Sequence, residues 1–222
     1  MKAVVRGAAV AAALVLALTG CEESAPSAGN RKAPTIPGEA PAEAQPEADA
    51  PPVVRLDPTG LMNALPVESA VGGWFVGGDP FTAQGPEAVG HCAEETGVAC
   101  TGLVAAGGKD METAGSSDTR VEFRLFSFGT EEQAGAAMKG LAAEKRKSSA
   151  EYGEPSKPVT LATVADETDA FADDGSADVI MRIGTVVAHI SMNETETDGL
   201  AHVSNVQVER VRTVAAGRNP GY

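Results

Sequence analysis

The chain has 222 residues, 43% of them apolar and 22% charged, with 17 Lys and Arg against 31 Asp and Glu for a formal charge of −14. That length suits one domain with appendages rather than a two-domain enzyme. The acidic balance removes the attraction on which nucleic-acid binding depends, so nucleic acid is excluded as a partner. Aromatic residues make up only 4%, against 25 Gly and 14 Pro, so any core must rest on Val, Leu, Ile and Ala.

Residues 1–20 read as a secretory signal, cationic at Lys2 and Arg6, apolar from Ala8 to Leu18, and too short to span a bilayer stably. Its end, Leu18-Thr19-Gly20-Cys21, resembles the lipobox of bacterial lipoproteins. The resemblance implies that Cys21 is lipidated on sulfur, palmitate included, and becomes the mature N-terminus. Two or three acyl chains would then hold the protein at the outer face of the cytoplasmic membrane. An ordinary signal with an incidental Cys21 is the alternative. Loss of Lys2 and Arg6 with the signal takes the charge from −14 to −16. Residues 22–52 hold seven of the fourteen prolines, with many Ala and Glu and hardly a bulky apolar side chain. Such a segment cannot bury enough surface to offset its ordering entropy, so 21–52 reads as a lipidated cysteine followed by a disordered tether.

The folded domain is expected over residues 53–216, with 217–222 fraying. It opens on Asp57-Pro58, an N-cap followed by Pro at the first helical position, with Leu61, Met62 and Leu65 on one face before Pro66. Gly72-Gly73-Trp74-Phe75-Val76-Gly77 predicts a short strand, whose Trp74 belongs either to the core or to a ligand groove. Cys92 and Cys100 are the cysteines left once Cys21 carries lipid, and in an exported domain they read as a disulfide, stabilising by about 2–3 kcal/mol. A metal set of His91, Cys92, Glu94 and Cys100 is the rival, weakened because His91 and Cys92 are adjacent and no second histidine is near.

Residues 121–128 alternate as a strand central to its sheet, with Val121, Phe123 and Leu125 on one face and Phe126 and Phe128 on the other. Thr130 and Gln133 form a capping box. The helix behind it buries Ala134, Ala137, Met138, Leu141 and Ala142, and closes on Lys145, Arg146 and Lys147 as a solvated, dipole-matched terminus. Residues 179–192 predict a hairpin turning at Gly184-Thr185, with Ile183 opposite Val186, Met181 opposite Ala188 and Val179 opposite Ile190. Its other face mixes Asp178, Arg182, His189 and Ser191 with Ile180 and Val187, which makes His189 a candidate site residue beside its plainer reading as a half-exposed strand histidine. The last segment, from Asp198 as a candidate N-cap through Leu200, Val203, Val206, Arg210, Val211 and Val214, reads as a helix, with a strand as the alternative its β-branched content leaves open. Together these elements give an α+β fold: a twisted antiparallel sheet with two to three helices packed on one side.

Four stretches, the lipobox with its Pro/Ala tether, Leu61-Met62-Asn63-Ala64-Leu65-Pro66 running into Gly72-Gly73-Trp74, Ala165-Asp166-Glu167-Thr168-Asp169-Ala170, and Arg182-Ile183-Gly184-Thr185-Val186-Val187, carry a resemblance. They are similar to actinobacterial lipoproteins related to the extracellular sensor domain of a mycobacterial membrane serine/threonine kinase. The resemblance implies an α+β domain with a groove for an unidentified ligand, and it supplies no catalytic residues. The chain departs from the family in having cysteines for one domain disulfide rather than two, and in Ala165 where Gly is usual.

The function expected is therefore a lipid-anchored, extracytoplasmic binding or sensor-like domain, not an enzyme, for a small envelope ligand or a partner protein. Its groove would be lined by Trp74, Arg182 and His189. No catalytic residue, metal or cofactor is expected. The alternatives are a structural or assembly lipoprotein working through protein contacts and, last, an envelope hydrolase. For the hydrolase the chain lacks a Gly-x-Ser-x-Gly or His-Glu-x-x-His motif, and its paired carboxylates are adjacent in sequence.

Overall fold

A computed structural model describes residues 54–97, 99–113, 116–193 and 197–221, with the side chains of 116–118, 197 and 198 left aside. The expected signal, Cys21 and the tether lie outside what is described, while residue 198, expected as an N-cap, falls inside α4, which already begins at residue 197. The first helix, α1 (Pro58–Ala64), starts as the Asp-Pro pair predicts: Asp57 accepts a hydrogen bond from Gly60 N at 2.7 Å. Helical spacing puts Leu61, Ala64 and Leu65 inside, and turns Met62 outward against expectation. Strands β1 (Trp74–Val76) and β2 (Phe81–Gln84) follow, then α2 (Gly85–Thr96), β3 (Leu103–Thr113) and β4 (Ser116–Phe128). After α3 (Glu131–Tyr152) come β5 (Lys157–Pro158), β6 (Glu167–Ala172), β7 (Ala177–Ile183), β8 (Val186–Met192) and α4 (Thr197–Ala215).

The eight strands form one open antiparallel sheet in the order β1-β3-β4-β8-β7-β6-β5, with β2 also paired to β3, so β4 is central as its two apolar faces require. This is an α+β fold. Four helices among the described residues cover both faces of the sheet, not two to three on one side. Val121, Phe123, Leu125, Val179, Met181 and Ile190 point to α1 and α4, while Phe126, Phe128, Ile180 and Val187 point to α2 and α3. The period of two along β4 and β7 demands this, because both faces of those strands are apolar and each needs a cover.

Strand β3 runs through Ala105-Ala106-Gly107-Gly108, a composition that disfavours strands. Its place is explained by close approach, since a Cβ on Gly108 would lie 2.5 Å from the Phe81 ring of β2. In α3 the capping box forms and all five residues of the expected stripe are buried. The helix does not close on its basic triplet, however, and runs on to Tyr152. Lys145, Arg146 and Lys147 lie mid-helix and pair with Glu95, Asp169 and Glu144, so their role is lateral ion pairing rather than capping.

Helix α1 has seven residues and no basic side chain in its last turn, so its orphan carbonyls depend on donors from far along the chain. Asn63 O accepts from Arg210 Nη2 (2.9 Å), Ala64 O from Gln207 Nε2 (3.0 Å) and Leu65 O from Arg210 Nε (2.9 Å). Pro66 O accepts from Lys109 Nζ at 2.9 Å. Residues 217–221, expected to fray, turn back against α4: Gly217 N donates to Val214 O, Arg218 N to Thr213 O, and Arg210 Nη1 to Gly221 O.

The hairpin has the register read from its pattern, Ile183 opposite Val186 through Val179 opposite Ile190. Its turn is pinned to the entering chain, since Thr185 N and Oγ1 both donate to Val54 O. Gly184 has a φ of 58°, and a Cβ there would stand 2.7 Å from that of Val54. Gly184→Ala should therefore cost about 1–3 kcal/mol in urea denaturation, whereas the open Gly175→Ala should stay within about 0.5 kcal/mol.

Candidate functional site

The mixed face of the hairpin lies beneath α3 and opens at one end into a hollow of about 390 Å³. Asp178 of β7 and Ser191 of β8, directly opposed in register, form part of its wall. Lys145, Ser149 and Tyr152 of α3 and the turn at Asp173-Asp174-Gly175-Ser176 form the rest. Asp173 Oδ1 accepts from Gly175 N, Ser176 N and Ser176 Oγ. Burial works against ionisation of Asp173, but these bonds prevail and hold its carboxyl below the usual range.

Behind the hollow, His189 Nε2 and Asp178 Oδ1 are 2.8 Å apart. His189 is not half-exposed but 2% exposed, because β4 and β7 flank its strand and α3 packs above. Its Nδ1 is buried and has no partner among the described residues. Beside it on β4, directly opposite His189, Arg124 gathers Asp110 (2.8 Å), Glu122 (3.2 Å) and Glu95 of α2 (3.6 Å). Lys145 completes the far side of Glu95 at 2.9 Å, and Arg120 also pairs with Asp110 and Glu122. The carboxylates in this network are already held by cations, so it ties α2 and α3 to the sheet rather than presenting an acid and base to an open site.

Of the residues singled out in the sequence, Arg182 and His189 share a face of the hairpin, and Trp74 is not brought to them. Trp74 is half-buried on the α1/α4 face of the edge strand β1. Arg182 lies on the opposite face at the hairpin end, where Glu167 (2.8 Å), Glu131 (3.4 Å) and Asp166 (3.8 Å) surround it. His189 sits deep on that same face with Asp178. Cys92 and Cys100 form a disulfide with Cα atoms 6.1 Å apart, joining the end of α2 to the segment before β3. His91 stacks on Phe81 at 4.7 Å, and among the described residues no three of His, Cys, Asp and Glu converge as metal ligands.

A larger cavity, about 570 Å³, was missed by sequence reading; it lies between the end of α1, α4 and residues 217–221, with Arg210 and Arg218 in its wall. The available signal was Arg210 itself, a charge standing within the apolar stripe of α4.

Comparison with protein-family models finds no match, and comparison with curated proteins finds none either. Among solved structures, the crystal structure of the extracellular domain of PknH from Mycobacterium tuberculosis is similar, at 14% identity and a TM-score of 0.49. The match covers 72% of this chain and 98% of that one. At that identity and score the likeness establishes neither family nor function.

Burial opposes ionisation of Asp110 and Glu95, yet Arg124 and Arg120 at the first, and Lys145 with Arg124 at the second, hold both carboxyls below their ordinary range. Groups with depressed folded pKa values contribute fully above about pH 5, and that contribution is lost as acid takes them through the lower folded values. Asp110→Asn and Glu95→Gln should accordingly flatten the fall of urea stability between about pH 5 and pH 2. Arg124, with a side chain 15% exposed, and Arg120, 43% exposed, should separate in the same assay. Arg124→Met should cost about 2 kcal/mol and Arg120→Met about 0.5 kcal/mol.

Proposed function

We propose that this protein is an extracytoplasmic lipoprotein, anchored to the outer face of the membrane through lipid on Cys21, whose folded domain is a non-catalytic, sensor-like binding module for a small envelope ligand or a partner protein. The observation that carries the reading is the Cys92–Cys100 disulfide in a domain that follows a lipobox. Disulfides persist in oxidising compartments, so the cysteine chemistry of the domain agrees with export encoded twenty residues into the chain. Among the described residues no helix is long and apolar enough to cross a membrane. The binding half of the reading is supported by cavities of a size suited to small ligands, together with polar networks whose carboxylates serve ion pairs rather than acid–base chemistry.

The test is fractionation of the full chain expressed in an actinobacterial host. The parent should sediment with membranes and carry an acyl mass on Cys21, and its denatured mass should be two hydrogens light for the disulfide. Cys21→Ser should appear unlipidated in the soluble fraction. Equal membrane recovery of parent and Cys21→Ser, or a parent mass without acyl groups, would overturn the anchoring.

A further inference from the structure

The cavity between α1, α4 and residues 217–221 has in its wall Arg210, the one buried arginine among the described residues. Arg120, Arg124, Arg146, Arg182 and Arg212 each meet at least one carboxylate. Arg210, although only 6% exposed, donates to Leu65 O, Asn63 O and Gly221 O, all neutral. Burial alone depresses its pKa, with no carboxylate to oppose it. Arg218, exposed and also part of the cavity wall, likewise has no carboxylate partner among the described residues. Lys109 lies near enough for the charge of Arg210 to add to the burial that lowers its own pKa, with Glu68 only partly opposing.

A guanidinium held in a partly desolvated site by carbonyls remains charged, and its full stabilisation awaits an anion. In a chain with 31 acidic and 17 basic residues, carboxylates are plentiful, yet the described residues that line this cavity include two arginines and no Asp or Glu. The rest of its wall is largely apolar, with Met62, Val67 and Val214, and its volume of about 570 Å³ far exceeds what an inorganic anion fills. We infer that this cavity binds a small anionic amphiphile, its carboxylate taking the counter-charge offered by Arg210 and Arg218 and its apolar stem packing on Met62, Val67 and Val214. The inference deepens the binding-module reading and rests on it.

The probe is octanoate, titrated into the full chain carrying Cys21→Ser to remove the lipid, with the Arg Nε–H resonances followed by NMR. Octanoate should bind saturably and shift Arg210 and Arg218. Octanamide, lacking the charge, and inorganic phosphate, lacking the stem, should each bind at least about tenfold more weakly. Arg218→Gln should weaken octanoate about tenfold while leaving the melting temperature within about 2 °C, as expected for an exposed side chain. Arg210→Gln provides the stronger version of the test if it folds. The inference is overturned if octanoate does not saturate in the millimolar range, if octanamide or phosphate binds as tightly, or if Arg218→Gln has no effect. A small-molecule mass that copurifies with the native chain and survives Arg218→Gln would sink this site alone and leave the binding-module reading in place.

Discussion

Four consecutive carbonyls at the end of α1, from Asn63 to Pro66, are the constraint around which the α1/α4 side of the domain is organised. A seven-residue helix cannot sustain itself by propensity, so α1 exists because its apolar face is buried and its C-terminal acceptors are met. The donors come from β3, 43 residues on, and from α4, up to 147 residues on. The start of the domain is thus completed only when its last helix is in place. Lys109 and Arg210, the only Lys and Arg buried among the described residues, are spent on neutral acceptors. Neither cation makes an ion pair with a carboxylate among the described residues, although Glu68 lies near enough to act on Lys109.

The opposite face solves the same problem differently. Under α2 and α3, burial of charge is offset locally by carboxylates: Arg124 with Asp110, Glu122 and Glu95, Lys145 with Glu95, and Arg146 with Asp169, while Arg146 also lies 4.2 Å over the Phe171 ring. The buried cations on the two sides of the sheet are therefore satisfied differently, by carboxylates under α2 and α3 and by backbone carbonyls under α1 and α4. The disulfide belongs to the first of these sides, where Cys92 and Cys100 pack with the α2/α3 core.

Local patterns with a single physical meaning were legible in the sequence. The alternation of residues 121–128, the Thr130–Gln133 box, the Gly184-Thr185 turn with its register, and the Asp57-Pro58 start all reappear in the structure. What stayed hidden depends on tertiary context. Strand β3 contains Ala-Ala-Gly-Gly, weak in strand propensity but required where Phe81 approaches, and β6 begins with Glu167-Thr168-Asp169, polar residues that favour strands little. The basic triplet of α3 looked like a helix end because its partners, Glu95 and Asp169, lie on other elements.

The candidate groove shows the same limit. Residue type and nearness to the hairpin group Trp74, Arg182 and His189, yet β1 is an edge strand separated from β8 by two strands and Trp74 faces the other way. The α1/α4 cavity joins residues about 150 positions apart, which no local pattern could reveal. In α4 the buried positions include Ser204, Gln207, Val208 and Arg210, while Val206 is only partly covered, so the inward face is more polar than its valines indicate.

A bound ligand is the property that separates a binding module from a domain acting through protein contacts. The lipidated chain, extracted from the envelope and weighed by native and then denaturing mass spectrometry, should show a discrete small-molecule mass beyond the acyl groups that is released on unfolding. Native and denatured masses that agree, with only the acyl groups on Cys21, would contradict a small-ligand module and turn the search to partner proteins.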